Sequence, residues 1–237
     1  GSGQQVLALD KPMGAFFGYE YNGIIQTQKR VDELNALAKS KGFSYYDGNM
    51  LRPGHLEIKD LNGDGRIDSN DRTVIGDPNP RFYGGLTTNL AYKSFSLFAN
   101  FGFQSGGKKI YGQTLQNVPA QLTGLIDYGL NDRWNDNHKD AKYPALYIGD
   151  GVPKMTSLSL HSTTHLRLQE LRIAYRLPEF NKYMNAQIYV SGTNLFTISP
   201  YPGTDPATAN YQSSYGGNYE TSYPGIRSFS FGLKFNL

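Results

Sequence analysis

The 237-residue chain contains no cysteine, so disulfide staples and thiol chemistry are excluded and the redox compartment is left open. No window of about eighteen consecutive apolar residues occurs. That excludes a membrane-spanning helix but not a barrel, whose strands give a far weaker signal. Charge of neither sign dominates: the net charge is +3, and Lys and Arg are scattered without runs, which argues against a nucleic-acid partner. There is no Gly-Lys-Ser/Thr phosphate loop, no nucleophile elbow and no Gly-x-Gly-x-x-Gly entering a helix, and no carboxylate pair stands out, so an enzyme is not expected. His161 and His165 have the four-residue spacing that chelates zinc on a helix. They precede a strand, where four residues span about 13 Å, and read instead as polar loop residues. A signal peptide is also missing, and Gly1-Ser2-Gly3 looks like a tag remnant or an internal cut.

What the chain has in quantity is 18 Tyr, 13 Phe and 27 Gly, the usage of twisted strands, turns and interfacial aromatic belts, so an all-β fold is expected. The last ten residues, SFSFGLKFNL, alternate: Phe229, Phe231, Leu233, Phe235 and Leu237 fall on one side of a strand, and Ser228, Ser230, Gly232, Lys234 and Asn236 on the other. Similar patterns mark strands over 15–25, 81–92, 94–103, 161–177 and 184–198, about six in all. Val31, Leu34 and Leu37 lie at helical spacing, with Thr27 as cap and Gly42 as stop. The connections run long, minimal, long, short, long. Loops sorted in this way belong to a transmembrane barrel, with tight turns on one rim and long loops at about 26–79, 104–160 and 199–225 outside the cell. Six strands cannot enclose a plugged lumen, which takes about 22, so the rest of the barrel is expected elsewhere. Residues 1–12 read as a lead-in and 13–237 as the barrel portion. The alternative from another class is a secreted, calcium-stabilised β-sandwich carbohydrate-binding module, because a soluble antiparallel sheet alternates too.

Asp60-Leu-Asn-Gly-Asp-Gly-Arg-Ile-Asp-Ser-Asn-Asp71 follows the twelve-residue calcium loop: oxygens at Asp60, Asn62 and Asp64, Gly65 at the sharp turn, the Arg66 carbonyl, then Asp68 and Asp71. Calcium there would stiffen a loop; the bland alternative is a turn built from Asx residues. Trp134 with Arg133 is the best candidate for a ligand or partner contact, followed by Tyr201 and Tyr215 among the loop aromatics, which could equally pack within loops.

The acidic loop continues into Asp71-Arg-Thr-Val-Ile-Gly-Asp-Pro-Asn-Pro80 and Arg81-Phe-Tyr-Gly-Gly. With Phe17-Gly-Tyr-Glu-Tyr-Asn-Gly23, the 165–178 and 190–196 segments, Tyr201-Pro-Gly-Thr-Asp-Pro206 and Tyr223-Pro-Gly-Ile-Arg-Ser-Phe-Ser-Phe-Gly232, this ordered set resembles the C-terminal part of the SusC/RagA family of TonB-dependent outer-membrane transporters. The resemblance implies an all-β, antiparallel segment of a barrel of about 22 strands, with long extracellular loops, in the outer membrane of a Bacteroidetes-like Gram-negative cell. It also implies import of oligosaccharides or peptides, a SusD-like surface lipoprotein, the TonB complex, and lipid around the barrel. Two positions depart from the family pattern: Leu237 stands where an aromatic is usual, and Ala207 where Glu is frequent.

Overall fold

The structure, a computed structural model, describes residues 5–6, 9–46, 50–111, 132–145, 155–178, 185–203, 205–207 and 225–236. It falls into two compact units, one of residues 1–78, 110–161 and 212–220, the other of residues 79–109, 162–211 and 221–237.

In the first unit the apolar stretch expected as one strand over 15–25 is two short ones. β2 (Ala15–Tyr19) lies between β1 (Gln5–Val6) and β5 (Arg72–Gly76), while β3 (Tyr21–Ile24) pairs with β4 (Leu56–Ile58). Glu20 separates them, and Gly23 takes a φ of 144°, which only glycine adopts freely. This segment therefore does not join the large sheet, which among the described residues has five strands where the sequence suggests about six. The helix α1 (Gln28–Ser40) begins where Thr27 Oγ1 accepts the Arg30 N–H at 3.3 Å, and it ends before Gly42, which has a φ of 85°. Its buried stripe is Val31, Leu34 and Ala38, and Leu37 faces outward. These residues pack with Ile25, Tyr45, Tyr46, Leu56, Ile58 and Ile67. Tyr45 and Tyr46 meet edge-on at 4.8 Å, and their hydroxyls donate to the Ile58 and Leu56 carbonyls at 2.9 and 2.7 Å, so two polar tips end up satisfied inside an apolar core. Burial raises both phenol pKa values. The loop expected over 26–79 thus carries its own helix, two strands and a core.

In the second unit β6 (Pro80–Tyr92), β7 (Phe95–Gly106), β10 (His165–Arg176), β11 (Asn185–Ile198) and β12 (Ser228–Asn236) form one antiparallel sheet in the order β12-β11-β10-β7-β6. Each is nine residues or longer, the length a tilted membrane strand needs. Between β7 and β10, β8 (Lys108–Ile110) and β9 (Leu160–Ser162) pair with one another. β6 turns into β7 at Lys93, which has a φ of 53°. Because the sheet is wholly antiparallel, that turn and the short β10–β11 connection leave one edge of the sheet, and the two long connections leave the other.

Candidate functional site

The residues that decide what this sheet can do are set by its register. Leu86 lies opposite Phe101, which lies opposite Leu168, itself opposite Phe196; one turn lower Leu90, Leu97, Ile173, Val190 and Phe231 follow in line. One face of the sheet is therefore apolar across all five strands. It is also bare: Leu86 is 62% exposed, Val190 54%, Phe231 71% and Phe229 72%. Water-facing surfaces do not carry an apolar patch of this extent, and a β-sandwich would have covered it with a second sheet.

The opposite face is polar. Thr87 Oγ1 donates to Asn100 Oδ1 at 3.2 Å, and Asn100 Nδ2 to Gln169 Oε1 at 3.2 Å, a ladder across three strands. Gln169, next to Leu168, falls on the polar side by ordinary alternation and lies over Gly102, and the register slip between Leu168 and Glu170 keeps Glu170 on that side as well. Glu170, Arg172 and Lys234 line a groove of about 480 Å³ on this face with Asn89, Ser96 and Gln187. Arg172 lies 4.0 Å over the Tyr189 ring, which in turn covers Gly232, where a Cβ would collide with it.

Where the connection after β11 leaves the sheet, charges are buried. Arg167, on the polar face, pairs with Asp205 and donates through Nε to Thr197 Oγ1 at 2.9 Å. Asp205 is 4% exposed, and burial alone would raise its pKa; the Ala207 N–H, the Arg167 guanidinium and the Gly225 N–H outweigh that and hold the carboxyl below its ordinary value. Lys109 donates to the Asp205 carbonyl at 3.2 Å and sits 5.0 Å over the Tyr201 ring. Tyr201, expected to meet a ligand, is only 7% exposed and packs under Lys109. Tyr215 lies outside the described residues.

Trp134 and Arg133 are placed by residues 132–145, which double back so that Trp134 N–H donates to the Tyr143 carbonyl and Tyr143 N–H to the Asp132 carbonyl. Trp134 is 6% exposed and packs with Ile24 and Ala141, its Nε1 donating to Gln26 Oε1 at 2.8 Å. Gly54, at a φ of 88°, leaves the space its ring fills. Arg133 is 5% exposed, with Nη1 donating to the Pro144 carbonyl at 3.2 Å; burial lowers its pKa. Neither side chain is displayed to a ligand. The pair closes a loop core.

In the acidic loop the oxygens serve the loop's own backbone. Asp60 accepts from the Gly63 and Gly65 N–H groups at 2.6 and 2.7 Å, Asn62 from Asp64 at 2.9 Å, and Asp64 from Arg66 at 3.0 Å. Fully buried Asp71 accepts from Leu61 and Asp68 at 2.9 and 2.8 Å and closes a capping box with Asp68 around Ser69–Asp71. The Arg66 guanidinium pairs with Asp68, approaches Asp64 at 3.9 Å, and rests 4.5 Å over the Phe43 ring. The Asn70 N–H, with Arg66 beside it, lowers the Asp68 pKa. The donor types suit calcium. The arrangement does not gather them: among the described residues no group of three or more His, Cys, Asp or Glu side chains is placed to hold a metal, and a side-chain cation occupies the space between two of the carboxylates.

The sequence reading missed Arg167, Asp205, Lys109 and the Arg172–Tyr189 stack. Simple alternation sets Arg167 and Arg172, five positions apart, on opposite sides of the strand, and only the slip between Leu168 and Glu170 brings both to the polar side; pairing with a residue 38 positions away has no local signature either.

No family model matches the chain. The chain is 29% identical over 240 residues to TonB-dependent receptor P3 of Formosa agariphila, covering 97% of this chain and 22% of that protein. It is 24% identical over 193 residues to TonB-dependent receptor SusC of Bacteroides thetaiotaomicron, covering 79% of this chain and 18% of SusC. Among solved structures, the RagAB peptide importer in its open-open state matches with a TM-score of 0.65 at 22% identity, over 98% of this chain and 23% of that one. The RagAB peptide transporter matches at 0.63 and 20%, over 97% and 24%. The chain thus spans about a fifth to a quarter of the length of the relatives it matches. With its sheet bare on an apolar face and polar on the other, the chain has the fold of a barrel portion and is similar to the SusC/RagA-type TonB-dependent receptors, a class of outer-membrane protein of the Bacteroidetes.

Proposed function

We propose that the complete receptor imports a nutrient across the outer membrane, an oligosaccharide or a peptide, driven through the TonB complex and working with a SusD-like surface lipoprotein. In this reading the second unit supplies five strands of the barrel wall, apolar side to lipid and polar side to the lumen, and the long connections stand on the extracellular rim. The observation that carries it is the sheet with one bare apolar face and one hydrogen-bonded polar face, in a chain whose relatives include SusC and whose fold matches RagAB. RagAB is a peptide importer, the similar receptors P3 and SusC carry no substrate in their names, and the substrate class stays open between sugar and peptide. Deleting the receptor in its native cell and supplying labelled oligosaccharides and peptides separately tests it. Uptake of one class should fall to background, and fall equally when TonB is removed. Unchanged uptake of both classes in the deletion would overturn the proposal.

A further inference from the structure

The long connection after β11 runs from Ser199 to the start of β12 at Ser228, and it has a neck. Asp205, near where it sets out, reaches Gly225, three residues before it rejoins the sheet. One carboxylate oxygen accepts the Ala207 N–H at 2.8 Å and pairs with Arg167; the other accepts the Gly225 N–H at 3.2 Å. A turn capped by its own aspartate needs only the first of these contacts. The second joins two points twenty residues apart in the chain.

The rest of the neck is consistent with such a joint. Arg167 is held by Thr197, so the cation that meets Asp205 is fixed to the sheet by two strands. Lys109 donates to the carbonyl of the same aspartate. On the returning side Asn194, in the left-handed region at a φ of 51°, donates through Nδ2 to the Ile226 carbonyl at 3.1 Å. Lys109 and Asp205 are each about 4% exposed, and the Arg167 side chain 14%. Charges so far from water are retained only when each has a partner, and removing one strands the others.

We infer that Asp205 is an ionic staple: it clamps the outgoing and returning ends of the 199–227 connection to each other and to β10, so the connection is carried on a fixed base. Nothing in this depends on which substrate the receptor takes, and the staple is present whether or not import is its task.

The test is amide hydrogen exchange on the complete receptor, comparing wild type with Asp205→Ala and Asp205→Asn. Loss of a charge-assisted acceptor should raise exchange at Ala207 and Gly225 together, by about tenfold or more, while β11 and β12 amides such as Val190 and Phe231 stay protected. Asp205→Asn keeps one acceptor oxygen and loses the ion pair, so its effect should be intermediate; it also serves where the alanine variant does not assemble. Faster exchange at Ala207 with Gly225 unchanged would reduce Asp205 to a local turn cap and overturn the inference. So would unchanged exchange at both positions.

Discussion

Placing an arginine at Phe231 separates a lipid-facing wall from a water-facing one, because the two environments predict different outcomes. Phe231 lies one residue from the midpoint of the nine-residue β12, opposite Val190, and is 71% exposed in the isolated chain. On a water-facing surface such a substitution changes stability by no more than about 0.5 kcal/mol either way. Near the middle of a bilayer an arginine on the lipid side of a barrel costs about 2–4 kcal/mol, a factor of about 30 to 1,000 in the folding equilibrium. Ser230, its neighbour, faces the polar side opposite Ser191, and Ser230→Arg should cost little. The assay is refolding of the complete receptor from urea into lipid vesicles, with the folded fraction read from heat-modifiable gel migration. Phe231→Arg should need a markedly lower urea concentration to fold, and Ser230→Arg should behave as wild type. Equal behaviour of the two variants would refute the assignment of faces.

Trp134→Ala removes a ring that is 6% exposed together with its hydrogen bond to Gln26, at a cost of about 3–5 kcal/mol. Amide exchange at Gly54 and Ala145, whose backbones bond where the ring packs, should rise; a loss of substrate affinity with exchange unchanged would point to a displayed Trp134 instead. Asp71→Ala removes the acceptor of two half-buried N–H groups, of Leu61 and Asp68, at about 1 kcal/mol each, and limited proteolysis should cut the loop faster. Calcium, proposed as a stiffener of that loop through Asp60, Asn62, Asp64, the Arg66 carbonyl, Asp68 and Asp71, has to compete with the Arg66 side chain. Arg66→Ala should therefore bind calcium more tightly than wild type in calorimetry, and equal or weaker binding contradicts that competition. Asp205 has a depressed pKa in the fold, so its contribution to stability is complete above its unfolded pKa of about 3.9 and is lost only as pH falls through the lower folded value. Exchange at Gly225 should then be flat in relative protection from neutral pH down to about 4 and rise below it, and Asp205→Asn should remove that rise.

The long strands were legible because their side chains must alternate between two unlike environments, and nine or more residues give the alternation room to show. β12 is the clearest case, from Phe229 to Phe235. The helix was equally legible in its cap and stop at Thr27 and Gly42, though Ala38 and not Leu37 completes its buried stripe. The strands β4, β5, β8 and β9, of three to five residues, are too short to establish a period and are fixed by their partners. Ala15 to Ile25 looked like a wall strand because aromatic and β-branched residues suit any sheet; nothing local says which sheet it joins. Trp134 and Tyr201 were singled out as large loop aromatics, and what decided their burial was contact with Ile24 and Lys109, distant in sequence. In the acidic loop, Asp, Asn and Gly at those spacings serve turn and metal alike, and only the position of the Arg66 side chain distinguishes the arrangement seen.

The absence of cysteine from this region makes a direct test of the two-faced wall practical. Single cysteines placed at each position from Phe229 to Phe235 in the complete receptor, in intact outer membranes, would be treated with a water-soluble maleimide and with a lipid-soluble one. Positions 230, 232 and 234 should react with the water-soluble reagent, and 229, 231, 233 and 235 only with the lipid-soluble one. Uniform reaction of all seven with the water-soluble reagent would contradict a membrane wall.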